Sequence, residues 1–282
     1  MAKEETTYVF DTESTVEMAR LISQDRMITL AMGGPLSGVP DLPVNAQVLD
    51  VGCGPGSWVM DVAYACPDAE VAGIDISKTM IDYARARART QRLPNASFGV
   101  MDIRQPLDFS DASFDLVNAR FLFVALKREA WEPFLAECTR ILKPGGILRF
   151  TEPVDCGVTS SVTYERVMAL YSEALWKCGY GFSVDGRTYG MTNTLPRMFR
   201  NADYQQVRCL AHALDFSADR DAWQDMYDNF QAGVSVAPPL YVKAGLGTIE
   251  EFEQLYRQVL LEMLSPDFRG MWHLVTVLGT KP

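Results

Sequence analysis

Basic residues are in short supply in this chain. Its 26 lysines and arginines face 36 aspartates and glutamates, a net charge of −10. An acidic surface repels phosphates, so nucleic acid and anionic membranes are not expected as main partners. No apolar run approaches the roughly 20 residues that span a bilayer. The opening Met1-Ala2-Lys3-Glu4-Glu5 lacks the apolar core of a secretion signal. The six cysteines, Cys53, Cys66, Cys138, Cys156, Cys178 and Cys209, include no C-x-x-C pair. A chain of this length builds a core without staples, so they read as reduced thiols, mostly small core residues, of a cytoplasmic protein. Histidine is scarcer still: only His212 and His273 occur, both on expected late strands. No metal site is expected. What remains is an ordinary globular composition, long enough for one large domain or two small ones.

Patterning gives the organisation. Ser14-Thr15-Val16-Glu17 reads as a capping box, and Gly33-Gly34-Pro35 as the stop of a helix over 14–32. A Gly/Pro-rich linker over 33–46 leads to an apolar strand at 48–51. Helices are then expected over 57–66, 77–92 and 128–142, and strands over 71–74, 96–101, 114–119 and 147–151. Strands alternating with helices make a parallel sheet covered on both faces. The second half is richer in helix, over 161–178, 195–202, 219–232 and 249–264, with strands at 205–216 and 269–279. Thr248-Ile249-Glu250-Glu251 is a second capping box.

The most informative run is Val48-Leu49-Asp50-Val51-Gly52-Cys53-Gly54-Pro55-Gly56-Ser57. A strand passes into a helix through three glycines, which accept unusual dihedrals and let a ligand approach the main chain. In open α/β folds such a loop binds nucleotides. Asp75 ends the next strand, 23 residues after Gly52. A carboxylate there accepts hydrogen bonds from ribose hydroxyls, or else serves the helix start at Ser77.

With Asp50 two residues before the first glycine, the run resembles motif I of the class I S-adenosylmethionine-dependent methyltransferases. Phe114-Asp115-Leu116-Val117-Asn118-Ala119-Arg120 resembles motif IV, and Leu142-Lys143-Pro144-Gly145-Gly146 the family's turn before the fifth strand. The resemblance covers roughly 45–155. It implies a Rossmann-like, doubly wound, seven-stranded, mostly parallel sheet with the last strand inserted antiparallel. It further implies a helical N-terminal segment (1–46) and helical insertions at about 160–200 and 218–266, forming a lid on a methyltransferase domain over 47–282. The cofactor implied is S-adenosylmethionine. Asp50 would serve its amino end, and Gly52, Cys53, Gly54 and Gly56 its main-chain contacts. Asp75 would take the ribose, and Ile76 and Met80 would pack on the adenosine. Met101, Asp102 and Ile103 would take the adenine, and Asn118 and Ala119 would lie beside the methyl.

Methyl transfer is an in-line displacement that chiefly needs positioning. A general base helps a hydroxyl acceptor and matters less for a thiolate or amine. Candidate catalytic groups are His273, Glu152 and Arg120. His273 and Glu152 serve equally well as packing or strand-end residues, and Arg120 as the partner of a carboxylate. Surplus aromatics in the additions suit a planar or apolar small molecule. Tyr8, Phe10, Tyr164, Tyr189, Trp223 and Tyr227, with Arg120, are the candidate substrate contacts. Motif IV lacks the Pro-Pro-aromatic signature of amino methyltransferases acting on DNA or protein glutamine. The paired glutamates of protein arginine methyltransferases are also missing. The expected function is methylation of a small molecule, such as a secondary metabolite, with oxygen the favoured acceptor over nitrogen, carbon and sulfur. A macromolecular methyltransferase and a non-catalytic relative are the alternatives. A monomer or homodimer is expected.

Overall fold

The computed structural model describes Tyr8 and residues 14–183, 185–186 and 188–282. Phe10, a candidate substrate contact, lies outside them. The first half alternates β1 (Gln47–Val51), α2 (Ser57–Ala65), β2 (Glu70–Asp75), α3 (Lys78–Gln91), β3 (Ala96–Val100), β4 (Phe114–Arg120), α4 (Trp131–Ile141) and β5 (Leu142–Pro153), after α1 (Thr15–Ala31). The second half comprises β6 (Val158–Thr159), α5 (Val162–Lys177), α6 (Met191–Asn201), β7 (Gln205–Asp215), α7 (Ala222–Val236), α8 (Pro238–Lys243), α9 (Ile249–Met263) and β8 (Gly270–Thr280).

One sheet runs β3-β2-β1-β4-β5-β8, and both β6 and β7 pair with β8. The strands from β3 to β5 are parallel, and β8 is antiparallel to β5 and β7. This is the expected sheet plus a two-residue strand, β6, too short to show a period of its own. Val48, Leu49 and Val51 are fully buried because β1 lies at the sheet centre with helices on both faces. The chain order reverses between β1 and β4, and a crevice opens there at the carboxyl ends of the strands.

Three differences from the sequence reading have local causes. Ser14 does cap α1 by accepting from the Glu17 amide, but the Glu17 carboxylate turns inward to Arg20 and Tyr8 instead of closing the box. The Thr248–Glu251 box does close. Pro238 starts α8 as a first-turn proline, where its missing N–H costs nothing, so a helix forms between the expected helices at 219–232 and 249–264, where none was assigned. Helix α6 belongs to the sheet, packing on β5, β7 and β8, and not to a lid. The helices that do stack over the crevice are α1 with α7, and α5, α8 and α9 with one another.

Candidate functional site

Two neighbouring cavities occupy the crevice. The first, about 1150 Å³ with open solvent included, lies at the ends of β1, β2 and β4. Its wall contains Gly52, Cys53, Gly54, Pro55 and Ser57 of the loop after β1, Asp75, Ile76 and Met80, Asp102 to Arg104, and Arg120 to Leu122. Helix α1 closes it with Leu21, Gln24, Asp25 and Ile28, and Asp50 forms its floor.

The loop is held from below. The amides of Gly52 and Cys53 both donate to the Ile74 carbonyl, at 2.8 and 2.9 Å. The Gly54 amide donates to Asp75 Oδ2 at 2.9 Å, and Asp75 Oδ1 accepts from the Ser77 amide at 2.9 Å. Asp75 therefore ties the loop to the start of α3, while Ser77 itself caps that helix. The glycines divide by role. At Gly56 (φ +77°) an added Cβ would sit 2.5 Å from the Phe98 ring and 2.9 Å from Ala84, so this glycine serves packing. At Gly54 (φ +51°) the nearest atom is Leu21 Cδ1 at 3.8 Å, so the space belongs to the cavity.

Beneath the loop runs a polar line across the sheet. Asp50, Asn118 and Arg149 are in register on β1, β4 and β5. Asn118 Nδ2 donates to Asp50 Oδ1 at 2.7 Å, and Arg149 Nη1 donates to Asn118 Oδ1 at 2.5 Å. All three are buried. Burial pushes the Asp50 carboxyl up to about 7, against the pull of Arg120 and of the Asn118 hydrogen bond. Burial and the nearby Arg120 bring the Arg149 guanidinium down to about 9. Asp102 is clamped by Arg104 through Nε and Nη2. Burial would raise its carboxyl, but the hydrogen bonds from Arg104 hold it below the ordinary range. Arg120 pairs with Asp25 and donates to Thr29 Oγ1 at 3.1 Å, joining β4 to α1.

The second cavity, about 790 Å³ with open solvent included, lies between the sheet and the helical cap. That is within the range of small-molecule sites. Tyr8, Leu21, Gln24 and Phe121 line both cavities. The rest of its wall is mostly aromatic: Phe123, Tyr164, Tyr171, Tyr189, Phe230, Tyr256 and Trp272, with Arg20, Asn229 and Cys156 among the polar members. Phe121, at the common wall, has φ +60°, a left-handed conformation that is costly for a bulky residue. Glu152 holds the turn that follows. Its carboxylate accepts from the amides of Leu122 at 2.8 Å and Phe123 at 3.3 Å.

Residues 48–146 match the model of a methyltransferase domain. Over 203 residues the chain is 30% identical to a demethylmenaquinone methyltransferase of Lactococcus lactis, covering 66% of this chain and 74% of that protein. The chain belongs to the class I S-adenosylmethionine-dependent methyltransferases. It is also 30% identical over 198 residues to a trans-aconitate 2-methyltransferase of Methylobacterium radiotolerans, covering 70% of this chain and 66% of that one. It spans about half the length of other curated relatives it matches. Geranyl diphosphate C-methyltransferase of Streptomyces coelicolor shares the fold, with a TM-score of 0.54 over 99% of this chain and 88% of that one, at 12% identity.

The walls fit the cofactor of this family. Asp50 Oδ2 makes no hydrogen bond among the described residues and faces the first cavity, which suits an ammonium. Four aspartates line this cavity against two arginines, which suits a cationic ligand. The open space at Gly54 is a cradle that a side chain would fill. Of the expected cofactor residues, Asp50, Gly52, Cys53, Gly54, Asp75, Ile76, Met80, Asp102 and Ile103 line the cavity. Gly56, Met101, Asn118 and Ala119 do not. Asn118 stands behind Asp50, and Ala119 is packed in the core. The amides of Gly52, Cys53 and Gly54 are already spent, so these residues meet a ligand through bare Cα surface and carbonyls.

Among the substrate candidates, Tyr8, Tyr164 and Tyr189 line the second cavity. Trp223 and Tyr227 do not: they stack on each other at 5.1 Å, and Trp223 donates to the Met263 carbonyl. Arg120 lines the first cavity only. Of the catalytic candidates, His273 lines neither cavity, because its neighbour Trp272 does and successive strand residues face opposite ways. Glu152 lines neither and is engaged by the turn amides. The α1 face of Leu21, Gln24, Asp25 and Ile28 was missed. Its i, i+3, i+4, i+7 spacing was the available signal, since such residues share one side of a helix. Asn229 and Tyr171 were also missed, being single residues on helices far apart in sequence.

Proposed function

We propose that this protein transfers a methyl group from S-adenosylmethionine to a small-molecule acceptor, with oxygen the favoured atom, releasing S-adenosylhomocysteine. The observation that carries this reading is the shared wall. A carboxylate-rich cavity over a glycine loop meets an aromatic one across Tyr8, Leu21, Gln24 and Phe121.

When bound, the cofactor supplies a methyl already activated by a sulfonium. The protein's own part is placement. Asp50 receives an ammonium with Oδ2, and Asp75 offers ribose hydroxyls the carboxylate that holds Gly54. Ile76 and Met80 pack on the adenosine. Asp102 and Ile103 border the adenine, with the Asp102 carboxylate shared with Arg104. Phe121, fixed by the turn that Glu152 grips, sets the distance between the two ligands. Positioning of this kind accounts for much of the acceleration of a displacement reaction. Helices α1, α5 and α7 to α9 exclude water from the acceptor.

The relatives act, by name, on demethylmenaquinone and trans-aconitate, both small molecules. The net charge of −10 speaks against a nucleic acid acceptor. Six free cysteines fit a cytoplasmic setting, and no helix among the described residues is long and apolar enough to cross a membrane. Titration calorimetry with S-adenosylmethionine and S-adenosylhomocysteine tests the cofactor assignment. Dissociation constants of about 1–100 µM are expected, abolished by Gly54→Val. No binding by the folded wild-type protein refutes the reading.

A further inference from the structure

The second cavity has no group that takes a proton. Among its described wall residues there is no aspartate, glutamate, histidine or lysine. Its phenols and its thiol all have acidities weakened by burial, Cys156 to about 12 and Tyr164, Tyr171 and Tyr189 well above the ordinary tyrosine value. They donate hydrogen bonds at neutral pH and do not act as bases.

The polar groups of the wall are set as donors. Arg20 has no acceptor atom, so whatever it bonds must present oxygen. Its Nη1 donates to Gln24 Oε1 at 2.7 Å and to Asn229 Oδ1 at 2.9 Å. Both amides are thereby fixed in orientation, and what remains of each is an NH₂ group. Arg20 is itself held by Glu17, through Nε at 2.7 Å and Nη2 at 2.6 Å, and Glu17 is completely buried. The ion pair thus acts as a fixed support for two amide donors contributed by α1 and α7. Tyr171 on α5 adds a third: its hydroxyl makes no hydrogen bond among the described residues. The first cavity, by contrast, carries four aspartates.

We propose that the second cavity selects an acceptor that arrives already ionised, a planar apolar carboxylate or an equally acidic enol, held by the NH₂ groups of Gln24 and Asn229 and the Tyr171 hydroxyl. This rests on the methyltransferase reading above and narrows its substrate class. The balance of the step agrees. A lone pair of the acceptor oxygen forms the new O–C bond, the C–S bond pair goes to sulfur, and no proton is released. An anion and a sulfonium become two neutral products. Charge that disappears along the reaction is favoured where water is excluded, because the separated charges lack solvation. A neutral alcohol would have to lose a proton to a wall that holds no base.

The test is binding to the protein saturated with S-adenosylhomocysteine, with 2-naphthoate and the uncharged 2-naphthamide as a matched pair. The wild-type protein is expected to bind the anion at least tenfold more tightly. Asn229→Asp and Tyr171→Phe should each reduce that preference several-fold while the affinity for S-adenosylhomocysteine, measured in the same cell, stays within twofold. Equal or tighter binding of the amide, or no binding of either compound, overturns the proposal. Failure of S-adenosylhomocysteine itself to bind refutes the underlying reading instead.

Discussion

Asp50→Asn separates what the fold tolerates from what the ligand needs. The substitution keeps an oxygen to accept the 2.7 Å hydrogen bond from Asn118 and removes only the charge. In the folded protein the carboxyl is pushed up to about 7 by burial, while in the unfolded chain it lies near 4. A folded value above the unfolded one means that the folded state holds the proton more tightly. The stability this contributes is complete below about pH 4 and is lost as pH rises to about 7. The gap corresponds to about 4 kcal/mol by pH 8 and to less than about 2 kcal/mol at pH 5. The ligand-free variant should therefore melt about 8–16 °C higher than wild type at pH 8, at about 2–4 °C per kcal/mol for a chain of this size, and only a few degrees higher at pH 5. Its affinity for S-adenosylmethionine should fall at least tenfold at pH 8. Wild-type affinity should weaken as pH drops below about 7, by up to tenfold per pH unit. Scanning calorimetry of the ligand-free proteins and titration calorimetry of both decide the matter. A variant less stable than wild type at pH 8, or one that binds the cofactor normally, refutes the reasoning.

The two glycines of the loop should part company. Gly54→Val should keep most of the fold and lose cofactor binding, whereas Gly56→Ala should lower the melting temperature because its Cβ meets the Phe98 ring at 2.5 Å; circular dichroism melts with parallel binding titrations check both. Asp75→Ala should weaken cofactor binding by about 1–3 kcal/mol through lost ribose and loop hydrogen bonds, and unchanged calorimetric affinity would remove Asp75 from the site. Glu152→Gln leaves one of the two turn amides facing an NH₂ group. Acceptor KM should rise several-fold with cofactor affinity little changed, and the reverse pattern in steady-state kinetics would contradict its role in fixing Phe121.

Much of the architecture was legible because it rests on short-range signals. The glycine loop, the Asp75 spacing and the Pro144-Gly145-Gly146 turn each sit within one strand-to-helix or helix-to-strand step. Alternating strands and helices fix a parallel sheet with little freedom left. Nine of the thirteen expected cofactor residues line the first cavity. The misses have several causes. Ala119 is one residue from Asn118, and the period of two along a strand sends it into the opposite core. His273 is turned away by the same alternation. Trp223 and Tyr227 were read as wall residues from composition alone, whereas they stack on each other as an i, i+4 pair on α7, and Trp223 is held by the Met263 carbonyl at the end of α9. The donors of the second cavity come from α1, α5 and α7, whose relative placement no local pattern encodes. Arg149, not singled out in the sequence, lies wholly buried beside Asn118.

The most direct test of methyl transfer to a small molecule is to incubate the protein with S-adenosylmethionine labelled at the methyl group and an extract of its source. Label should appear in the low-molecular-weight fraction with wild-type protein and vanish with Gly54→Val. Label confined to protein or RNA, or small-molecule label that persists with Gly54→Val, would contradict the account.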